Sequence, residues 1–416
     1  MSIQEIYNES KNKFLFNDSK NFSVLRSNIL KNLDITPKIK KNNESLKYLD
    51  PQVLNFLYKY TELSNDILYL DHEMDIMNID SVDGKISTIH KKTNNKIDIN
   101  IRNINSSNKL AEEIFLNFQD YFEDDYILNL NSLMLNSGYE INIGEKQEVT
   151  IFISNNITDQ ALTLFQKNII SCSKNSKVTI IEEFATNKKS NSNIANFISL
   201  EEGVELTHLI FQRNSLTASL QSTSYTNCKK NSLYKQLIIN ISNASIRNHH
   251  YANLVGENAS ANLDGIFFAG NDQVIDNKTQ VNHNFPNCKS SQRYKGVLTD
   301  QSQASYLSKT FVDKLAQKTE AYQLSKGILL SDNSYFHSKP ELKIFADDVK
   351  CSHGSTIGPM DRDLLFYLRS RGLNKKDSTS LLIKSFFHDM MFGVPNKIFL
   401  EQFNYYSNKW LEMNNI

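Results

Sequence analysis

KPELKIFADDVKCSHGSTIGPMDRDLLFYLRSRG, residues 339–372, carries three kinds of physical signal in one stretch. Leu342, Lys343, Ile344, Phe345 and Ala346 alternate and read as a strand. Asp347 and Asp348 then offer turn chemistry, because short carboxylate side chains bond nearby backbone N–H groups and compete with a regular ladder. A second alternation follows, with Val349, Cys351, His353, Ser355 and Ile357 on one parity and Lys350, Ser352, Gly354 and Thr356 on the other. Successive strand side chains point to opposite faces, so Cys351 and His353 fall on the same face, about 7 Å apart. Val349 and Ile357 turn that face toward apolar surroundings. Beyond Gly358 and Pro359 the period becomes helical. Asp361 is placed to cap that helix, Leu364, Leu365 and Leu368 form its apolar stripe, and Gly372 stops it.

A thiolate and an imidazole side by side on a strand can both ligate iron or another transition metal. Two ligands do not complete a tetrahedral site, so a metal held here needs others from elsewhere. The plainer reading of Cys351 is a small hydrophobe filling a core, the usual role of a free cysteine. The spacing alone does not separate the two. Residues 339–372 as a whole resemble the C-terminal signature of the SufB/SufD family of iron–sulfur cluster assembly proteins, in the form of its SufD branch. The resemblance extends more loosely back to about residue 140, and the first 130 residues match only in character. Its departures are mild: Ser355 and Ile357 are conservative variants, and Pro359-Met360 replaces a more usual polar pair ahead of the helix.

The resemblance implies a fold and a set of roles. The core is expected to be a right-handed parallel β-helix. His353 and Cys351 match the positions that serve a nascent iron–sulfur cluster at the interface with a SufB-like subunit, which supplies the remaining ligands; the histidine is the better supported of the two. The C-terminal β-helix strands are expected to pair with that subunit. The helices in 361–416 are expected to dock a SufC-like ATPase, which alone handles ATP. The implied protein is a scaffold subunit of the SUF machinery, not an enzyme, and the cluster it shares is transient.

Bulk properties set outer limits. The chain has 416 residues, with Lys plus Arg and Asp plus Glu both counting 46. A zero formal balance gives no footprint for nucleic acid or for a membrane surface. Apolar residues make up 40%, enough for a core, while no stretch approaches the roughly 20 apolar residues that span a bilayer. MSIQEIYNESKNKF has neither a basic n-region nor an apolar h-region, so a cytoplasmic setting is expected and secretion is not. The four cysteines, at 172, 228, 288 and 351, form no CxxC pair, which argues against a zinc knot and a disulfide framework. The phosphate-loop pattern G-x-x-x-x-G-K-[ST] is missing from the whole sequence, so the chain is not expected to hydrolyse ATP itself.

Taken in order, residues 1–134 read as a mainly helical region, 135–358 as the β-helix core and 359–416 as a helical, ATPase-docking region. In the first, Phe22, Leu25, Ile29 and Leu33 recur at helical spacing, Pro51 opens a second helix, and Lys109 to Phe122 repeats the pattern. Ile97, Ile99 and Ile101 alternate strictly, so a short strand interrupts these helices. In the core, Ile169 to Val178, Leu200 to Leu209, Leu254 to Leu263 and Leu298 to Leu307 each set two apolar residues nine apart across a polar bend. Strand, polar corner, strand is what a β-solenoid needs, and Asn or Ser at the corners can ladder between rungs. A β-sandwich or jelly roll gives similar short strands, and periodicity leaves both open; the resemblance selects the β-helix. After Gly372, Asp377 is expected to cap a helix bearing Leu381, Leu382, Phe386, Met390 and Met391, and Pro395 to start another bearing Ile398, Phe399, Phe403, Tyr406 and Trp410. These aromatic helices either cap the raw edge of the solenoid, dock a partner, or both.

Other candidates read as structural. His249 and His250 lie ahead of a strand and, being adjacent, point to opposite faces, which makes a poor chelate. His283 and His337 lie in turn-like sequence, and His208 is a satisfied strand residue. Asp347 and Asp348 suggest the paired carboxylates of a polysaccharide-binding or polysaccharide-cleaving β-helix, the alternative function, but neighbouring strand residues diverge and these are expected to bond the corner backbone. A third possibility is a SufB-type scaffold that carries the cluster itself.

Overall fold

A computed structural model of the chain describes residues 24, 26–30, 76–91, 97–104, 125–157, 163–185, 190–213, 219–242, 244–392, 394 and 396–416. The helices expected from Pro51 and over Lys109 to Phe122, and the positions of Phe22, Leu25, Leu33 and Pro395, lie outside these residues; Ile29 lies in a helical turn, residues 26–30.

A hairpin comes first, Ile76–Val82 (β1) and Lys85–Lys91 (β2), turned by Asp83 and Gly84 at φ 50° and 75°. Two successive left-handed residues are the backbone of the tight hairpin turn, and Asp-Gly is the pair that adopts it most readily. This hairpin escapes the sequence reading, whereas the isoleucine alternation does form a strand, Ile99–Asn103 (β3). Tyr126–Met134 is a helix (α1), capped by Asp125, whose carboxylate accepts from the Ile127 and Leu128 N–H groups at 3.0 and 3.2 Å.

From there the chain winds. Ser137–Ile143 (β4), Thr163–Cys172 (β6), Asn191–Leu200 (β8), Ser219–Cys228 (β10), Ser245–Leu254 (β12), Val274–His283 (β14), Gln303–Val312 (β16) and Tyr335–Ile344 (β18) stack in parallel as sheet B. Between them Glu148–Asn156 (β5), Lys177–Ala185 (β7), Glu205–Gln212 (β9), Leu233–Ile241 (β11), Ser260–Ala269 (β13), Lys289–Leu298 (β15), Thr319–Leu329 (β17) and Val349–Pro359 (β19) stack in parallel as sheet A. Alternate strands feeding two parallel sheets make a parallel β-helix. Ser219 lies opposite Ser245 and Gln303 opposite Tyr335, so rung length varies along the chain, as the uneven sequence spacing requires. The four nine-residue pairs all straddle a corner between the sheets.

The corners explain why Asn recurs there. Asn175, Asn231, Asn258 and Asn287 have φ between 57° and 60°. Each donates its N–H to a carbonyl of the next rung, on Glu202, Glu257, Pro286 and Gln317. Asn tolerates the left-handed region better than other side chains, and the Asn258 amide also donates to Asn231 Oδ1 at 3.0 Å. Gly203 occupies the same place at φ 71°, where a Cβ would meet Asn175 Oδ1 at 2.4 Å.

Between the sheets, apolar residues crowd the two corners while the middle of the lumen is polar. Ile151, Ile180, Leu200, Leu206, Leu254 and Leu263 fill one side. Phe184, Ile194, Ile238, Phe267, Tyr294 and Phe336 fill the other. Glycines there make room for rings: a Cβ on Gly296 would lie 2.1 Å from the Phe267 ring, and one on Gly327 2.5 Å from Phe336.

Three helices follow β19: Arg362–Ser370 (α2), Lys375–Met391 (α3) and Lys397–Met413 (α4). Asp361 caps α2, and Gly372 follows it at φ 96°. The cap of α3 is Asn374, which accepts from Asp377 N–H at 2.8 Å; Asp377 is a first-turn residue instead, because the helix starts one turn earlier than its apolar pattern. Asn396 caps α4, accepting from Phe399 N–H at 2.9 Å. Helices α3 and α4 do not cover the raw end of the solenoid. They lie on the outer face of sheet A, where Phe211, Ile239 and Phe268 meet Phe387, Phe399, Phe403 and Trp410. Phe268 sits 5.0 Å from the Phe387 ring and 5.1 Å from Trp410. Lys295 fixes α3 from below, donating to Phe386 O at 2.6 Å and Asp389 at 2.5 Å.

Candidate functional site

The two sheets end differently at their two ends. At the start, β2 pairs antiparallel with β1, and β3 pairs antiparallel with β4. At the finish, β18 pairs only with β16 and β19 only with β17, so both end as edge strands among the described residues. Cys351 and His353 lie on β19, beside Ala321 and Gln323 of β17. The strand expected over residues 342–346 ends at Ile344, and the corner begins with Phe345. That corner is closed by the Asp348 backbone: its N–H donates to Gln317 Oε1 at 3.0 Å and its carbonyl accepts from Lys318 N–H at 2.6 Å.

Cys351 and His353 share a parity but not an environment. Cys351 is half-buried, packed with Val349 against Val312, Ala316 and Ala346 under the corner. His353 lies nearer mid-strand and is exposed, which corrects the expectation of apolar surroundings for both. The last rung has none beyond it to bury its central residues. The layer behind His353 is polar. Gln323 is buried there, donating to Thr310 Oγ1 at 2.9 Å and Glu341 O at 3.2 Å and accepting from Ser308 at 3.1 Å.

Exposure separates the four thiols. Cys172, Cys228 and Cys288 are buried, and burial pushes their pKa values to about 12, 12 and 11. Such thiols behave as apolar filling. Cys351 alone is partly accessible; burial raises its pKa too, opposed by a hydrogen bond from the Ala321 backbone. A thiol held protonated must release its proton when it ligates, which makes any metal binding here pH-dependent.

The remaining candidates are tied into the fold. His249 and His250 lie within β12 and not ahead of it, and they do diverge. His249 faces outward to Asp276 at 3.1 Å; His250 faces the lumen, meeting Ser224 at 2.6 Å and Gln236 at 2.9 Å. Burial lowers their pKa values to about 4 and 3. His283 closes β14 with Ser290 at 2.8 Å, and His337 lies in β18; both were expected in turns, because Asn and Pro neighbours mimic turn composition. His208 is satisfied as expected, 3.1 Å from Glu182 and 3.3 Å from Tyr234. The sequence reading misses the buried pair Arg247–Asp125, 3.0 Å apart, which ties the cap of α1 to sheet B. Only a fold that brings residues 125 and 247 together reveals it.

Among the described residues no group of three His, Cys, Asp or Glu could hold a metal ion, so Cys351 and His353 remain an incomplete donor set. Just beyond them α2 buries no residue: Leu364, Phe366 and Tyr367 are 51%, 74% and 54% exposed. No helix among the described residues is long and apolar enough to cross a membrane.

With this geometry in hand, comparison with known proteins is informative. A family model described as "SUF system FeS cluster assembly, SufBD core domain" matches residues 152–386, from β5 into α3. An iron–sulfur cluster assembly SufBD family protein of Synechocystis is 33% identical over 239 residues, covering 55% of this chain and 52% of the relative. The iron–sulfur cluster assembly protein SufD of Escherichia coli is 34% identical over 143 residues, 34% of each chain. The chloroplastic protein ABCI7 of Arabidopsis thaliana is 26% identical over 230 residues, covering 54% of this chain and 48% of the relative. The matches span about half, or less, of each relative's length. A parallel β-helix whose core and first C-terminal helices fall inside the family model leaves one conclusion: the chain belongs to the SufBD family of the SUF iron–sulfur cluster assembly system.

Proposed function

We propose that this chain is a non-enzymatic scaffold subunit in iron–sulfur cluster assembly, of the SufD type. It pairs with a SufB-like β-helix through the edges of β18 and β19. It holds a SufC-like ATPase on the helices after residue 361, with ATP bound by that subunit only. Cys351 and His353 lend part of a coordination set to a transient cluster at the subunit junction. The observation that carries this reading is the pairing of an incomplete thiol–imidazole set with a long edge that, among the described residues, no strand covers. Exposed ladder groups on such an edge are a template for strand addition. A neighbour docked there would cover His353 and could supply the missing donors. Family membership and the SufD relative support the same assignment.

The mechanism follows from how α2 is attached. Its N-terminus leaves β19 through Met360, and it packs on α3 without burying a side chain of its own. Closure of two ATPase subunits would move α2, and the motion would reach β19 and its two donors directly. His353→Ala in the reconstituted complex tests the ligand role. The complex should still assemble, while protein-bound iron and acid-labile sulfide should fall to the level of the scaffold without partners. An undiminished cluster yield rejects the role. Phe366→Glu tests the docking role, since a 74% exposed side chain contributes little to folding; retained capture of the ATPase counts against it.

A further inference from the structure

The corner leading from sheet B into sheet A changes character along the solenoid. In the early rungs it projects Lys174, Glu202, Lys230 and Glu257, with ion pairs Lys174–Glu202 at 3.9 Å and Lys229–Glu201 at 2.6 Å. In the last three rungs it adds Phe285, Leu315 and Phe345, which are 42%, 73% and 52% exposed, while charged side chains continue beside them at Lys314, Lys318, Asp347 and Asp348. Among the described residues, no large hydrophobic side chain between 97 and 284 is exposed. The apolar ridge therefore begins where the open end is near. Contiguous exposed apolar surface on a soluble protein marks a contact site, whereas scattered single residues do not.

The ridge also runs into the ligand-bearing rung. Phe345 continues the ladder through its N–H to Val312 O at 3.0 Å, and its ring lies 5.6 Å from Phe311. Ala346 beneath it packs with Val349 and Cys351. Each corner in this solenoid rests on the one before it, and Phe345 is the last. A chain that adds strands to both β18 and β19 must carry its own connecting corner across Phe345.

We infer that Phe285, Leu315 and Phe345 form a docking ridge for an apolar corner segment of the partner β-helix, reaching back along the flank by about two rungs, ~10 Å. This rests on the pairing proposed above. The partner it specifies is a second β-helix whose terminal corner offers exposed apolar side chains to this stripe, which the early corners of this chain do not.

Affinity of the full-length chain for the purified SufB-like subunit tests it. Leu315→Glu and Phe285→Glu should each weaken association by roughly tenfold or more, the scale of an interface anchor, with unchanged circular dichroism and melting. Glu257→Lys on the charged part of the corner should change nothing. Leu315→Ser gives the same readout with a smaller perturbation of the monomer. If Ser352→Lys/Thr356→Lys on β19 abolishes association while the ridge variants bind normally, the ridge inference is overturned and the pairing stands. If the β19 variant also binds normally, the pairing itself fails and the inference falls with it. Ridge variants that lose only the ATPase would assign the ridge to another partner and overturn the inference equally.

Discussion

The two ends of this solenoid manage the same hazard in opposite ways. At the N-terminal end the stack is closed by reversed strands, β2 against β1 and the five-residue β3 against β4. Short or antiparallel closing strands with charged residues blunt an edge; β2 brings Lys85, and Arg102 on β3 pairs with Glu140. At the C-terminal end β19 runs eleven residues, V-K-C-S-H-G-S-T-I-G-P, with Lys350 its only charge. Lys350 near its start and Pro359 at its end are its only residues of the kind that resist pairing, so the run from Cys351 to Gly358 is left open to it, whereas β18 beside it carries Lys339, Pro340, Glu341 and Lys343. The contrast is what the proposed function rests on: the end left open is the one on which Cys351 and His353 lie.

The largest effects should come from making the two ends alike. Ser352→Lys/Thr356→Lys gives β19 the charged character of the closed end, and association with the SufB-like subunit, read by co-purification or calorimetry, should drop by about tenfold or more. Equal binding would show that the contrast between the ends carries no function. The flank is read by stability and not by affinity. Phe268→Ala empties the junction of sheet A with α3 and α4 and should cost about 3–5 kcal/mol in chemical unfolding, with little change in partner affinity. A large affinity loss without destabilisation would mean that these helices belong to the end after all.

Acid sharpens the distinction between interior and ends. Burial holds His249, His250 and His283 down at about 4, 3 and 4. Above the unfolded value of about 6.5 these groups are neutral in both states and contribute no pH dependence. As pH falls from about 6.5 toward 4, the unfolded chain takes up protons that the folded chain refuses, so each of these imidazoles withdraws up to about 3 kcal/mol of stability. Urea midpoints at pH 7, 6 and 5 should decline, and His250→Gln should flatten the slope; a flat wild-type profile would contradict the buried imidazoles. The smallest change is at the junction beyond the open edge. Asp361→Ala removes acceptors for the Asp363 and Leu364 N–H groups, at 2.9 and 3.0 Å, and should destabilise α2 by about 1 kcal/mol. Amide exchange confined to residues 362–370 would detect it.

What the sequence made legible was whatever rests on local pattern. Alternation located β19, Asp361 and Gly372 bounded α2, and nine-residue pairs marked corners. Local pattern failed where a helix starts ahead of its apolar stripe, and where the deciding neighbour is distant in the chain. Asn374 looks like a loop residue until its side chain is seen accepting from Asp377 N–H. Phe386 and Met390 look like the lining of an end cap until sheet A supplies Phe268 and Lys295, while Leu381 of the same expected stripe is exposed. His283 and His337 have turn-like neighbours because rung ends in a β-helix are themselves corners. For the candidate site, parity put Cys351 and His353 on one face, but the difference in their exposure depends on which rung is last, and no spacing encodes that.

The glycine at position 327 has a consequence for encounter. Because the Phe336 ring of the final turn drops into the notch that Gly327 leaves, the terminus of the stack is keyed into place before any neighbour arrives. A latch of that kind spares the complex the entropy of ordering its last strands on contact. On the pairing proposed above, recognition at this tip should proceed by rigid fitting, and mutating the notch should slow capture even where every contacting atom is untouched.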